Sequence, residues 1–459
     1  MLFFSLLGMI GIAYIFANRT VLSPWVIGCA MFLVSTVFAM LNVNKWQFTL
    51  QPVTVIIILA ALACLGAGEM LVTGLFQRFR WKRTNTDRSA VQSGSVLSGR
   101  AMPIYVPLAA VVTVALVMCL MLVYYYKETY AFSLAGGNPG GTELMLKYAR
   151  EAKLSRLAVP GRIYGHVGFL TKALGYIFLY AFVYNTVLFG WKLRWLPLLI
   201  PVALYIPFIL LSTGRTDFIY VTVVVMMVGC YLYLQKNAWH YRCTFKILLL
   251  AVIALAAFFL VFVLSGLLTG KVNFSNAYNS ISFYTGLSIP SLDYWIQNPL
   301  PDTPYIGNHT LIPMYSTLRT LGFDLPDLYA PYEFVQFNGT SGNVYTAIRR
   351  YMEDFTVVGM LGLFFLLGAL YSFLFNWMKN RNSNGFLLLV YAAYCYPIFE
   401  LSIEERFFMN VFSTGSVYLF VYLGVLYYLF VAYPRKRAAM SHRLKERQFY
   451  WANRVEGSI

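Results

Sequence analysis

The charged side chains of this chain are few, and those that could do chemistry stand in short clusters between long apolar runs. Arg215 and Asp217 lie two residues apart in Ser212-Thr213-Gly214-Arg215-Thr216-Asp217, between the charge-free stretches 196–211 and 218–234. Arg349 and Arg350 precede Asp354 at the head of another apolar run, and Glu400, Glu404, Glu405 and Arg406 crowd a third turn. His309 and Arg319 fall in the longest non-apolar stretch, and Arg150 and Arg156 in a segment where charged and apolar residues interleave. A planar guanidinium bonds two oxygens at once, which suits it to gripping a diphosphate. A carboxylate or imidazole within reach can take a proton from a hydroxyl. Arg215, Arg349 and Arg350 are therefore candidates to hold a diphosphate, and Asp217, Asp354, Glu404 and His309 candidates for a general base. Arg319, Arg406, Arg150 and Arg156 are candidates to bind the rest of an anionic substrate. Plainer readings stand beside these: a helix cap with a snorkelling Arg at 212–217, an interfacial salt-bridge cluster at 400–406, and a structural His309.

The elements that must position these residues are membrane helices. Hydrophobic residues make up 59% of the 459 and charged residues only 12%, about half the share in an ordinary soluble chain. The mean hydropathy is +0.64. Eleven apolar runs are long enough to span or nearly span a bilayer: about 1–17, 21–41, 52–76, 103–126, 163–189, 196–211, 217–234, 247–268, 353–377, 386–403 and 408–432. The fold class expected is thus all-α, a polytopic integral membrane protein forming one membrane domain over 1–459. If the C-terminal tail is cytoplasmic, the inner loops hold 21 of the 35 Lys and Arg but 3 of the 18 Asp and Glu. That asymmetry predicts the N-terminus outside and the C-terminus inside. It also assigns the formal charge of +17 to topology and anionic lipid rather than to nucleic acid.

Taken in order, Glu69 is the one carboxylate inside the first three spans, read either as a partner of Arg78 or Arg80 or as part of a proton relay. A basic, Ser/Thr-rich inner loop covers 77–102. The fourth span ends in the aromatic belt Tyr124-Tyr125-Tyr126. An external loop over 127–162 follows, with a Gly-rich link and an amphipathic helix expected over Thr142–Val159, started by Thr142 and Glu143 and lying on the outer membrane surface. Its role is either contact with membrane lipid or guidance of an anionic lipid-linked substrate. Gly214 permits a close approach or an unusual backbone conformation, and Thr216 or Asp217 can cap a helix beginning at Phe218. The large external loop, 269–352 between the eighth and ninth spans, mixes aromatics with Asp, Asn and Gln, as a carbohydrate site or a membrane-packed lid would. A double Arg just outside a span runs against the positive-inside rule, which favours a functional reading of Arg349 and Arg350. Glu400 and Glu404 share a face if their helix continues. The basic tail 433–459 is a cytoplasmic anchor. None of the six cysteines lies in an outer loop, and no metal-ligand spacing, nucleotide loop or paired-carboxylate metal motif occurs.

Ser212–Asp217 opening a span, a large external loop, and Asn343-Val344-Tyr345-Thr346 followed by Arg349, Arg350, Asp354, Phe355 and Gly359 resemble the Wzy-type oligosaccharide repeat-unit (O-antigen) polymerases. Arg406 stands where that family has an Arg in its last outer turn. The resemblance implies a metal-independent membrane glycosyltransferase with a GT-C-like fold and no cofactor, in the bacterial cytoplasmic (inner) membrane. Its donor and acceptor would be undecaprenyl-diphosphate-linked oligosaccharides, joined at the outer face into a surface polysaccharide such as O-antigen, capsule or exopolysaccharide. A chain-length regulator and a flippase would be its partners. An O-antigen ligase, or a flippase or transporter of the lipid-linked unit, is the alternative reading.

Overall fold

The structure is a computed structural model that describes residues 1–17, 19–84, 102–142, 144–214, 216–240, 277–299, 305–328, 333–380 and 385–435, with positions 246, 247, 249, 250, 252, 253 and 266; of 79–84 and 380 only the backbone is described. Among these residues helix dominates, and the single sheet is the two-stranded hairpin Val335–Phe337 with Thr340–Gly342. Eight helices are long and apolar enough to cross a membrane: Pro24–Leu41, Pro52–Arg78, Leu108–Ala135, Arg162–Phe189, Leu193–Leu211, Thr216–Lys236, Ala347–Lys379 and Thr414–Arg435. Leu2–Phe16 and Gly385–Glu400 are shorter apolar helices. The run expected at 247–268 lies almost wholly outside the described residues.

The chain packs as two compact units, Met1–Gly94 with Arg215–Val417, and Ser95–Gly214 with Tyr418–Ile459. In the first, the helix Pro52–Thr84 lies along Ala347–Asn380. Small residues allow this: a Cβ on Gly68 would strike the carbonyl of Phe365, and one on Gly368 the carbonyl of Leu65. Close approach through small residues is how helices gain packing energy where lipid removes the hydrophobic drive. Glu69 does not pair with Arg78, and the side chain of Arg80 lies outside the described residues. Its carboxylate accepts from Ser23 Oγ (2.8 Å) and from the Trp25 amide (2.9 Å), so it meets the unpaired amides that open the helix Pro24–Leu41, where negative charge is favoured. The helix from Pro52 continues to Thr84, past the boundary expected at residue 76.

The described residues of the large loop form packed elements. Its helices Ala277–Gly286 and Ser288–Gln297 pack on Pro24–Leu41, and Ser288–Gln297 also on Pro52–Thr84. Asp293 accepts from the Gln51 amide (2.9 Å) and Thr54 Oγ1 (2.5 Å), satisfying the start of the helix at Pro52. Lys45 Nζ donates to Asn279 (2.8 Å), and the Asn338 side chain donates to the Lys45 carbonyl (3.1 Å). Asn338 and Gly339 both take positive φ, the turn that joins tight hairpins.

In the second unit, Leu108–Ala135 runs nine residues beyond Tyr126, and the chain breaks only at Gly136 and Gly137. The amphipathic helix is Met145–Leu154, shorter at both ends than expected; Thr142 lies before it, and Glu143 is outside the described residues. It seats Met145, Ala149 and Ala152, and a Cβ on Gly136 would meet the Tyr148 carbonyl. Lys153 donates to Tyr164 OH (3.1 Å) and the Ser212 carbonyl (3.4 Å) and lies over the Phe132 ring. Burial lowers its ammonium to about 8.

Candidate functional site

The polar centre of the first unit forms at the head of the helix Ala347–Asn380. That helix starts five residues before the loop was expected to end, and it is broken at Thr356, whose φ of 61° and ψ of −179° are not helical. A β-branched residue there is strained, since that region is all but reserved for glycine. The two turns before the kink carry Arg349, Arg350, Glu353 and Asp354. The spacing puts Glu353 four residues after Arg349 and three after Arg350, so one carboxylate serves both.

Arg349 is the largest fully buried side chain described, at 0% exposure. Its Nε donates to Glu353 Oε1 at 2.7 Å, its Nη2 pairs with Glu333, and its Cζ lies 3.7 Å from the centre of the Tyr345 ring and 5.7 Å from that of Trp295. Glu333 is held in turn, because Tyr345 OH donates to its backbone carbonyl (3.3 Å). Arg350 keeps 19% of its side chain exposed; its Nη1 donates to Glu353 Oε2 and to His309 Nδ1, both at 3.0 Å. An Nδ1 that accepts leaves the proton of a neutral imidazole on Nε2. Burial is the main reason His309 sits below the ordinary imidazole range; Glu353 pulls it back up and Arg350 pushes it further down. Asp354 takes the amides of His309 (3.1 Å) and Thr310 (2.8 Å) and the Thr310 hydroxyl (2.6 Å). Its carboxylate anchors the loop, and burial raises it above the usual carboxylate range against the pull of these hydrogen bonds.

A second cluster touches this one. The Ala347 amide donates to the Leu401 carbonyl (2.9 Å), and Tyr351 OH to Glu405 Oε1 (3.0 Å). The helix Tyr396–Glu400 ends at Glu400, so Glu400 and Glu404 do not continue one helix; both instead pair with Arg406, Glu400 at 3.2 Å. Glu405 also accepts from the amides of Phe408 (2.7 Å) and Met409 (3.1 Å). Burial raises it to about 7, against the pull of those hydrogen bonds. Tyr220, in the helix Thr216–Lys236, stacks on Tyr396 and accepts from Asn410 Nδ2 (2.9 Å).

Of the residues expected to do chemistry, the structure brings together Arg349, Arg350, His309 and Asp354, with Arg406 and Glu404 in the adjoining turn. Arg215 lies outside the described residues. Asp217 stands in the first turn of a helix that begins at Thr216, not Phe218. The unusual backbone next to it belongs to Thr213 (φ 67°) rather than Gly214. Arg319 pairs at 3.0 Å with Asp327, away from these groups in its bonding. Arg150 is exposed on the helix Met145–Leu154 and Arg156 follows it with φ 57°, both in the second unit. Glu353 and Glu333 are not among the candidates the sequence offers, and Glu405 is marked there only as a member of the crowded turn. The i,i+3 and i,i+4 spacing could have found Glu353, while Glu333 arrives from a distant loop. Among the described residues no group of three or more His, Cys, Asp and Glu is placed to hold a metal ion.

Fold and site together define an all-α, multi-pass membrane protein with charged side chains clustered at the head of the helix Ala347–Asn380 and in the turn that carries Arg406. No family model, curated protein or solved structure matches the chain.

Proposed function

We propose that this chain is a metal-independent, GT-C-like membrane glycosyltransferase, a repeat-unit polymerase acting on undecaprenyl-diphosphate-linked oligosaccharides at the outer face of the bacterial inner membrane. The observation that carries the reading is Arg350. It is a part-exposed guanidinium at the outer head of a span, bonded to an imidazole and a carboxylate rather than locked in the core. Arg349, buried against Glu333 and Glu353, fixes the Glu353 carboxylate that orients Arg350. In the transfer, an acceptor hydroxyl oxygen forms the new bond to the anomeric carbon. The bond from that carbon to the phosphate oxygen breaks, and its electron pair leaves on the lipid diphosphate. Arg350 stabilises the charge that develops there, and such electrostatic stabilisation usually contributes more to catalysis than any other effect. Arg215 and Arg406 are its candidate partners. His309 takes the hydroxyl proton once Arg350 turns from Nδ1 to the diphosphate.

The test is purified protein in liposomes given a lipid-linked repeat unit. Elongation that Arg350→Ala abolishes supports the reading. Movement of the unit across the bilayer without elongation overturns it in favour of a flippase, and transfer only to a lipid A core acceptor overturns it in favour of a ligase.

A further inference from the structure

His309 and Thr310 aside, which are buried in the polar centre, the stretch Tyr305–Phe323 carries exposed apolar side chains that the polar centre does not use. The helix Ile312–Thr320 buries none of its residues. Ile306 (71%), Leu321 (70%) and Phe323 (60%) are mostly exposed, and Met314 and Tyr305 are exposed beside them. Across these nineteen residues Arg319 is the one formal charge, and it is paired with Asp327. A water-facing loop segment would not normally concentrate large apolar side chains in this manner.

Two anchors fix the level of the stretch. His309 and Thr310 bond to Asp354, two residues before the Thr356 kink from which Ala347–Asn380 continues as an apolar helix. The helix Ile312–Thr320 packs against the turn Phe407–Val411, just before the last apolar helix opens at Thr414. Both anchors stand at the ends of membrane-crossing helices, and both belong to the first unit. Side chains held there, apolar and almost free of charge, meet the boundary between headgroups and acyl chains.

We infer that Ile306 and the stretch 312–323 form a lipid-contacting surface around the anchored His309 and Thr310, with Ile306, Met314, Leu321 and Phe323 dipping into the outer face of the bilayer that the spans cross. The occupant of this surface is lipid, not a soluble protein, because the patch offers apolar area with no unpaired charge for a partner to read. Arg319 and Asp327 mark its polar edge.

Radical footprinting of the unaltered full-length chain in phosphatidylglycerol–phosphatidylethanolamine liposomes tests this, with hydroxyl radicals generated in the water on both sides. Oxidation at Met314, Leu321 and Phe323 is expected to be lost, while exposed Tyr294 in the same loop is modified. The double variant Leu321→Asp, Phe323→Asp should restore oxidation at Met314. Modification of Met314 and Phe323 alongside Tyr294 in the unaltered chain overturns the inference. Protection that disappears on diluting the protein in lipid also overturns it, since that assigns the cover to a second copy of the chain.

Discussion

Arg350 and His309 share a hydrogen bond of 3.0 Å from Nη1 to Nδ1, and that bond ties the guanidinium proposed to bind the diphosphate to the imidazole proposed as base. While it lasts, Nδ1 is an acceptor already in use. An anion that draws Arg350 away frees Nδ1, and Glu353 then favours the protonated ring.

Arg349 and Arg350 are adjacent in sequence but opposite in expected consequence. Arg350→Ala should leave the fold intact and reduce elongation by about a hundredfold or more, the scale of a lost transition-state contact. Arg349→Ala should unfold rather than merely inactivate. It leaves Glu333 without its guanidinium and Glu353 with Arg350 alone, and breaking such a buried pair costs about 3–5 kcal/mol. Thermal melting in detergent, measured beside activity, separates the two.

Asp354→Ala removes the acceptor of three donors from His309 and Thr310. Each lost charge-assisted bond is worth about 1.5–3 kcal/mol. The expected result is local: faster hydrogen exchange across 305–323 with the transmembrane helices unchanged. Unchanged exchange there would deny Asp354 its anchoring role.

Thr356 stands in a backbone region that favours glycine. Thr356→Gly should release about 1–3 kcal/mol of strain against about 0.5–1 kcal/mol of lost chain entropy. The melting temperature should therefore hold or rise, whereas Thr356→Ala, which keeps a Cβ, should not gain in this way. A lower melting temperature for the glycine variant would contradict the strained geometry.

Glu405 is raised to about 7 by burial, above its value in the unfolded chain of about 4.3. Between those values the folded state holds the proton more tightly, so the contribution of this group to stability is full at low pH and is lost as pH rises through 7. Glu405→Gln removes this loss. Its melting temperature should change less between pH 5 and pH 8 than that of the parent chain.

The sequence alone determined the class. Long apolar runs with little charge can satisfy their backbone in lipid only as helices, and eight of them are helices long and apolar enough to cross. It also marked Arg349, Arg350, Asp354 and His309, because charge is costly near a membrane and stands out against an apolar background. Helix ends were less legible. Leu108–Ala135 and Pro52–Thr84 outran their apolar cores because propensity carries a helix on into polar residues, the first until Gly136. Only the tertiary structure decided which arginine is buried and which is open. Glu333 and Tyr345 close over Arg349, and His309 arrives beside Arg350 from a loop some forty residues away. Neighbouring side chains look equivalent in sequence; burial and the reach of distant partners set their charge, and those arise only when the chain is folded.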